Sequence, residues 1–275
     1  MLCKEDKTFI ACPNKGAMNR TLKIAITVVL GIVLIATATA FAYSTMKNTQ
    51  NADSPFSYIP SDSSFVVRAS YNDTTLFIFQ YNNTTALMLN TVGIRSGNIS
   101  YASGNSTISI PIKFNSTYGG FQVYSINVSS SLQDILKFNS TLPSVLNISG
   151  LTLFAYMTNG GSVVVGTLSG VKDSINSFNS GSNFVSKSSF IDHNDNISFY
   201  LSPHNSTLPF SYAWGGVNGT ELYAYLEMRN STQFNFTGSF SYQGFTVKSL
   251  SSHELEVTYE FSNLSQLYSK LDSMR

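Results

Sequence analysis

Residues 24 to 43 are 20 consecutive positions without a charge, and no other feature of the 275-residue chain limits its possible folds as strongly. As a helix rising 1.5 Å per residue the run is about 30 Å long, the thickness of a bilayer's hydrocarbon core. Lys4, Lys7, Lys15, Arg20 and Lys23 precede it, whereas Lys47 is the only basic residue among the fifteen that follow. This asymmetry places the N-terminus in the cytoplasm and everything after the run outside, because positive charge stays on the cytoplasmic side. The bilayer is then the first expected partner, contacted through residues 24 to 43.

A cleaved signal peptide is the competing reading. Residues 24 to 35 are the strongly apolar part, and Ala36-Thr37-Ala38, Ala38-Thr39-Ala40 and Ala40-Phe41-Ala42 each fit a small-x-small cleavage site. The apolar stretch reaches full spanning length, so an uncleaved signal anchor is the expectation and secretion after cleavage the alternative. Both export the same domain. The expected organisation is a cytoplasmic segment 1 to 23, a transmembrane helix 24 to 43, a polar stalk 44 to 57 and an extracellular domain 58 to 275. The alternative for residues 1 to 17 is an overextended start, because Met18 opens an ordinary positively charged leader.

The exported part keeps itself in water with uncharged groups. After residue 43 there are 43 Ser, 19 Thr and 23 Asn, against 13 carboxylates and 11 cations. A nucleic-acid binder working through a basic field is excluded by that balance. Aromatic residues make up 13% of the chain, enough apolar area to order it against its chain entropy. Cys3 and Cys12 both precede the apolar run, so the exported domain has neither a disulfide nor a thiolate metal site.

Asn-x-Ser/Thr triplets occur at Asn72, Asn82, Asn83, Asn98, Asn105, Asn115, Asn127, Asn139, Asn147, Asn196, Asn205, Asn218, Asn230, Asn235 and Asn263. About 6 would arise by chance at this Ser and Thr frequency, so the fifteen are read as N-glycosylation acceptors. An attached glycan must stand on the surface. Dense acceptor triplets on a cysteine-free domain behind one N-terminal apolar helix resemble an archaeal single-pass envelope glycoprotein.

Period-two alternation marks strands. Ile108, Ile110, Ile112 and Phe114 alternate with polar residues and Pro111, and Leu255, Val257, Tyr259 and Phe261 alternate with Glu254, Glu256, Thr258 and Glu260. Pro111 predicts an edge or a bulge. Further strands are expected at 65 to 69, 76 to 80, 86 to 89, 121 to 126, 151 to 157, 162 to 166, 197 to 201, 221 to 228 and 233 to 242. Three helices are expected to open at Ser130, Ser169 and Asn263, the first and third with Gln three places on as in a capping box. The fold class is therefore α+β, mostly antiparallel sheet with about three short helices on one face. Residues 133 to 140 also look like 172 to 180, which suggests a duplication.

Tyr58-Ile59-Pro60-Ser61-Asp62-Ser63-Ser64-Phe65-Val66-Val67, Ser162 to Thr167 with Val171 to Ile175 behind it, Phe190 and Ile197 to Leu201 are together similar to an uncharacterised family of exported prokaryotic domains. Those open with a Pro-Ala-Asp strand and repeat a strand, a Val-Gly-Thr turn and a helix. The resemblance implies an exported α+β domain and carries no catalytic residues.

No nucleophile elbow, phosphate-binding loop, dinucleotide turn or His-Glu-x-x-His helix is present. Asp192-His193-Asn194-Asp195 is the densest polar cluster and reads as a solvated turn rather than a metal site. His253 and Glu254 are neighbours on a strand and face opposite ways, while Glu254, Glu256 and Glu260 share a wet face. Trp214, the lone Trp, lies with Tyr212 in what reads as a Gly-rich turn. These two are the candidate binding residues, with a buried plug as the plainer reading. No catalytic, cofactor or metal residues are assigned. The expected function is a non-enzymatic surface protein with a structural role or an envelope protein partner. The alternatives are a module binding an apolar ligand or a glycan, and an exported hydrolase.

Overall fold

The computed structural model describes residues 54–71, 74–90, 92–95, 97–103, 106–127, 152–203, 209–229 and 238–272. The expected membrane helix, the stalk up to residue 53 and the helix expected at Ser130 lie outside them. Among the described residues no helix is long and apolar enough to cross a membrane.

The described residues are mostly antiparallel strand. In chain order the strands are β1 (Phe65–Tyr71), β2 (Thr74–Tyr81), β3 (Thr84–Leu89), β4 (Val92–Arg95), β5 (Asn98–Ser103), β6 (Ser106–Tyr118), β7 (Phe121–Asn127), β8 (Thr152–Met157), β9 (Val163–Gly166), β10 (Ile197–Leu201), β11 (Phe210–Asn218), β12 (Glu221–Met228), β13 (Ser239–Tyr242), β14 (Phe245–Ser249) and β15 (Glu254–Glu260). The α-helices are α1 (Leu168–Ser180) and α2 (Leu264–Asp272), joined by 3-10 helices at Pro55–Tyr58 and Phe184–Phe190. All fifteen strands form one sheet in the order β13-β14-β15-β12-β11-β10-β1-β2-β3-β9-β8-β7-β6-β5-β4.

That order contains an approximate two-fold. β1, β2 and β3 form a meander, and β9 returns beside β3 and leads into α1; β10, β11 and β12 form a second meander, and β15 returns beside β12 and leads into α2. The halves join through β1 and β10, antiparallel with Val67 opposite Phe199. The first half differs by its longer excursion through β4 to β8, and α1 and α2, which hold corresponding places in this order, pack on opposite sides of the sheet rather than on the one face expected: Val171 and Ile175 of α1 lie with Val66 and Val164, and Leu267 of α2 with Val67 and Val163. The duplication expected between residues 133 to 140 and 172 to 180 involves residues outside those described. The hairpins correspond too. Asn82-Asn83-Thr84 turns β2 into β3, with Asn82 and Asn83 at φ 45 and 61, and Asn218-Gly219-Thr220 turns β11 into β12, with Gly219 at φ 59. Asn and Gly tolerate this left-handed backbone, which matches the twist of tight hairpins.

Alternation gives the sheet two buried faces. One carries Val66, Phe77, Phe79, Met88, Val123, Tyr156, Val164 and Tyr200, covered by Val171 and Ile175 of α1 and by Phe56, Tyr58 and Phe184 of the 3-10 helices. The other carries Val67, Ile78, Val163, Phe199, Ala213, Val217, Leu226, Val247, Leu255 and Val257, with Leu267 of α2 among them. β4 also approaches β8 and β9, although three strands separate it from β8 in the sheet, so that end of the strip curls over itself. Phe56 is 3% exposed and meets Phe77 at 5.3 Å, so packing starts inside the segment expected to be stalk.

Local signals explain most boundaries. α1 begins after Thr167, whose Oγ1 accepts from the Gly170 amide at 3.1 Å, so the cap stands two residues before the expected Ser169. It ends at Gly181, at φ 71, where a left-handed residue closes the last turn. α2 begins as expected: Asn263 Oδ1 accepts from the Gln266 amide at 2.9 Å, and Gln266 Oε1 accepts from the Ser262 amide at 2.6 Å. Within its first turn Leu267 is fully buried and Leu264 is exposed. Pro111 stands where β6 exchanges β5 for β7 as its partner, a place where a missing amide hydrogen breaks no continuous ladder. The β6 bulge then falls between Phe114 and Ser116, and Phe114 is left 54% exposed instead of joining the dry face.

α1 is fixed to the sheet by a buried chain of hydroxyls. Tyr156 Oη and Ser174 Oγ are 2.7 Å apart, and Ser174 Oγ donates to the Tyr58 carbonyl at 2.6 Å. Burial raises the Tyr156 pKa well above its ordinary value, so the phenol is neutral and shares hydrogens. Ser174→Ala leaves the phenol and the carbonyl without this partner and is expected to cost about 1–3 kcal/mol. Urea unfolding of the domain measures this loss, and a midpoint unchanged from wild type would show the chain to be dispensable.

Candidate functional site

The densest polar arrangement lies on the face that carries α1, along one row across four strands. Arg68 on β1 stands opposite Ser198 on β10, Ser198 opposite Gly216 on β11, and Gly216 opposite Tyr223 on β12. The loop from Ile191 to Asn196 lies on this row. Arg68 is only 6% exposed and donates through Nη1 to the carbonyls of Asp192 at 3.3 Å and Asp195 at 3.0 Å. Ser198 Oγ donates to the same Asp192 carbonyl at 3.0 Å, and Tyr223 Oη donates to Asp195 Oδ2 at 2.6 Å. Gly216 is glycine for a steric reason, since a Cβ there would collide with the Asp195 carboxylate.

The expected solvated turn is thus wet on one side only. Asp192, His193 and Asn194 are exposed, with Asp192 Oδ1 accepting from the Asn194 amide at 2.8 Å, but Asp195 is 2% exposed. Its Oδ1 has no hydrogen-bond partner. Burial raises the Asp195 pKa, while the Tyr223 hydrogen bond and the Arg68 charge pull it down. Tyr223 moves up, first through burial and then through its bond to Asp195. The His193 pKa moves down, because the ring is partly buried, its edge against Phe56, and Arg68 is near. The loop's carbonyls already converge on a cation, the Arg68 guanidinium. Among the described residues no three His, Cys, Asp or Glu side chains are grouped to hold a metal ion.

Trp214 and Tyr212 lie on strand β11 rather than in a turn, and the turn falls at Gly219 and Thr220. Gly215 and Gly216, which suggested the turn, are strand residues that let β12 and the Asp195 loop approach closely. Tyr200, Trp214 and Tyr225 stand opposite one another on β10, β11 and β12. Trp214 and Tyr225 have ring centroids 5.3 Å apart at 25°, Tyr212 and Trp214 5.6 Å at 31°, and Phe190 lies 5.2 Å from Trp214. Tyr225 is stacked on Trp214, while Tyr212 and Phe190 meet it tilted, so the half-buried indole is flanked by three rings. A sugar stacks on a ring face, and part of the Trp214 surface is taken by these neighbours. The Tyr212 pKa is pushed up to about 12, first by its hydrogen bond with Glu227 and then by burial.

Beyond this ladder the same face turns acidic. Glu221 stands opposite Glu260 and Glu227 opposite Glu254, so like charges face each other twice across β12 and β15. Glu256 lies between them and pairs with Lys248 at 3.6 Å. The shared wet face expected for Glu254, Glu256 and Glu260 is present, and Glu221 and Glu227 extend it. Sequence reasoning missed the pairing because register is not visible in one strand. His253 Nδ1 lies 2.8 Å from Ser252 Oγ on an exposed loop, and His204 falls outside the described residues.

Of the acceptor asparagines, Asn82, Asn83, Asn115, Asn196, Asn218 and Asn263 are exposed, and Asn98 is half-buried. Asn72, Asn105, Asn139, Asn147, Asn205, Asn230 and Asn235 lie outside the described residues, and of Asn127 only the backbone, at the end of β7, is described.

Two measurements probe this region. The folded state holds the Asp195 proton more tightly than the unfolded chain does, so its charged form penalises the fold above the raised pKa. That penalty disappears as pH falls toward the ordinary carboxylate value. Relative to Asp195→Asn, wild type should therefore gain stability in denaturant titrations between neutral pH and about pH 4, and parallel curves for the two proteins would exclude this role. Glu260→Lys replaces a facing like pair with an opposite one and should stabilise by about 0.2–1 kcal/mol, Glu260→Gln by less; equal midpoints for all three would mean that solvent screens the pair completely. In comparisons with protein-family models, curated proteins and solved structures, the chain matches none.

Proposed function

We propose that this chain is an N-terminally anchored, N-glycosylated surface protein whose α+β domain lies outside the cell and has a non-enzymatic role, contributing to the coat or contacting an envelope protein. The observation that carries the reading is the position of the acceptor asparagines. Six of the seven whose side chains are described are exposed, at hairpins, on strand β6, in the loop before β10 and at the start of α2, and none is buried. Residues placed by chance in a chain so rich in Asn would also favour turns, so the exposure supports the reading together with the excess of complete triplets.

The interior polar groups fit a structural role. Arg68, Ser198 and Tyr223 direct hydrogen bonds at the loop that covers them. The scarcity of charge also fits a domain that relies on hydroxyls, amides and attached sugars for its solubility. The rings packed around Trp214 leave it half-buried, which favours the structural reading over a module that presents this residue to a glycan. The third expected helix, the single bilayer span and the cytoplasmic N-terminus belong to this proposal, with secretion after cleavage as its variant.

Shaving intact cells with protease tests the orientation. The domain should be cut or released without lysis, and fractionation should leave the uncut protein with membranes if residues 24 to 43 are retained or in the medium if they are removed. Protection in whole cells with digestion after lysis would overturn the proposal.

A further inference from the structure

Fifteen acceptor triplets look alike in the sequence, but the fold makes three neighbouring ones unequal. Asn196, Asn218 and Asn263 converge at one corner of the second half, where β10 starts, β11 turns into β12 and β15 leads into α2. The Gly219 amide donates to Asn196 Oδ1 at 3.3 Å, and the Phe261 amide donates to the Thr220 carbonyl at 2.9 Å. All three asparagines are exposed. Their hydroxyl partners two residues on differ. Thr220 and Ser265 are exposed, whereas Ser198 is fully buried in the Arg68 row with its Oγ donated to the Asp192 carbonyl.

We propose, resting on the extracellular reading above, that Asn218 and Asn263 are modified on the folded domain and form one paired glycan site at this corner, while Asn196 beside them stays bare. Transfer needs the asparagine amide and the hydroxyl together, and at Asn196 the folded strand withholds the hydroxyl. At Asn263 the helix cap is compatible with modification. The cap uses Oδ1, which accepts from the Gln266 amide, and the sugar bond is made at Nδ2. The donor class is a polyprenyl-phosphate-linked oligosaccharide. A bond forms from Nδ2 to the sugar C1, the bond from C1 to the phosphate oxygen breaks, the lipid phosphate leaves with the electron pair, and Nδ2 loses one proton.

The test uses full-length protein made in its own host. Thr220→Ala and Ser265→Ala remove the two triplets and keep both asparagines, so each should lower the intact mass by one glycan. Asn196→Gln should leave the glycan mass unchanged, and glycopeptide mapping of wild type should find sugar at Asn218 and Asn263 but not at Asn196. Sugar at Asn196, or unmodified Asn218 or Asn263, overturns the inference. Protease shaving separates the two claims: a shaved domain that lacks the pair defeats only this inference, and a protected domain defeats the extracellular reading as well.

Discussion

The antiparallel contact between β1 and β10 holds the architecture together. Among the described residues it is the only ladder between the two meanders, running from Phe65 opposite Leu201 to Ala69 opposite Ile197. On one face it aligns Val67 with Phe199 in the core beneath the sheet. On the other it aligns Arg68 with Ser198, and so fixes where the Asp192–Asp195 loop can settle. A slip of one residue would exchange the two faces, placing Arg68 in an apolar core and Val67 beneath a polar loop. The register is therefore specified by burial on both sides.

The halves are alike in topology and unlike in surface. α1 lies across the first half's outer face, closing over Tyr156, Val164 and Met88. In the second half the corresponding strands carry the aromatic ladder and then paired glutamates. Trp214 and its neighbours occupy the boundary between a helix-covered region and a wet one, which explains rings that are half-buried and stacked on each other. Facing glutamates are tolerated at a solvated margin, where screening keeps their repulsion small.

Much of the fold was legible in the residues because alternation leaves a direct trace. β15 reads from Leu255, Val257 and the glutamates around them, and α2 from Asn263 and Gln266, which cap its start through the Gln266 and Ser262 amides. A strand buried on both faces shows no alternation, and β10, buried at every position, is legible instead as the short apolar run from 197 to 201. β11 was read as a turn because Gly215 and Gly216 usually signal one, although here they are small to admit a neighbouring strand and a carboxylate. The buried Asp195 could not be read from the sequence at all. Its environment comes from Arg68 and Tyr223, 127 and 28 residues away along the chain. Only the asymmetry of one buried and one exposed aspartate, visible after folding, separates it from Asp192.

Among the described residues the strip terminates in β13 and β4, each of four residues. Little unsatisfied backbone is therefore offered at either margin, and strand addition by a stranger gains few hydrogen bonds. Molecules crowded side by side would resist zipping into fibres for that reason, even with a continuous fifteen-strand template inside each of them.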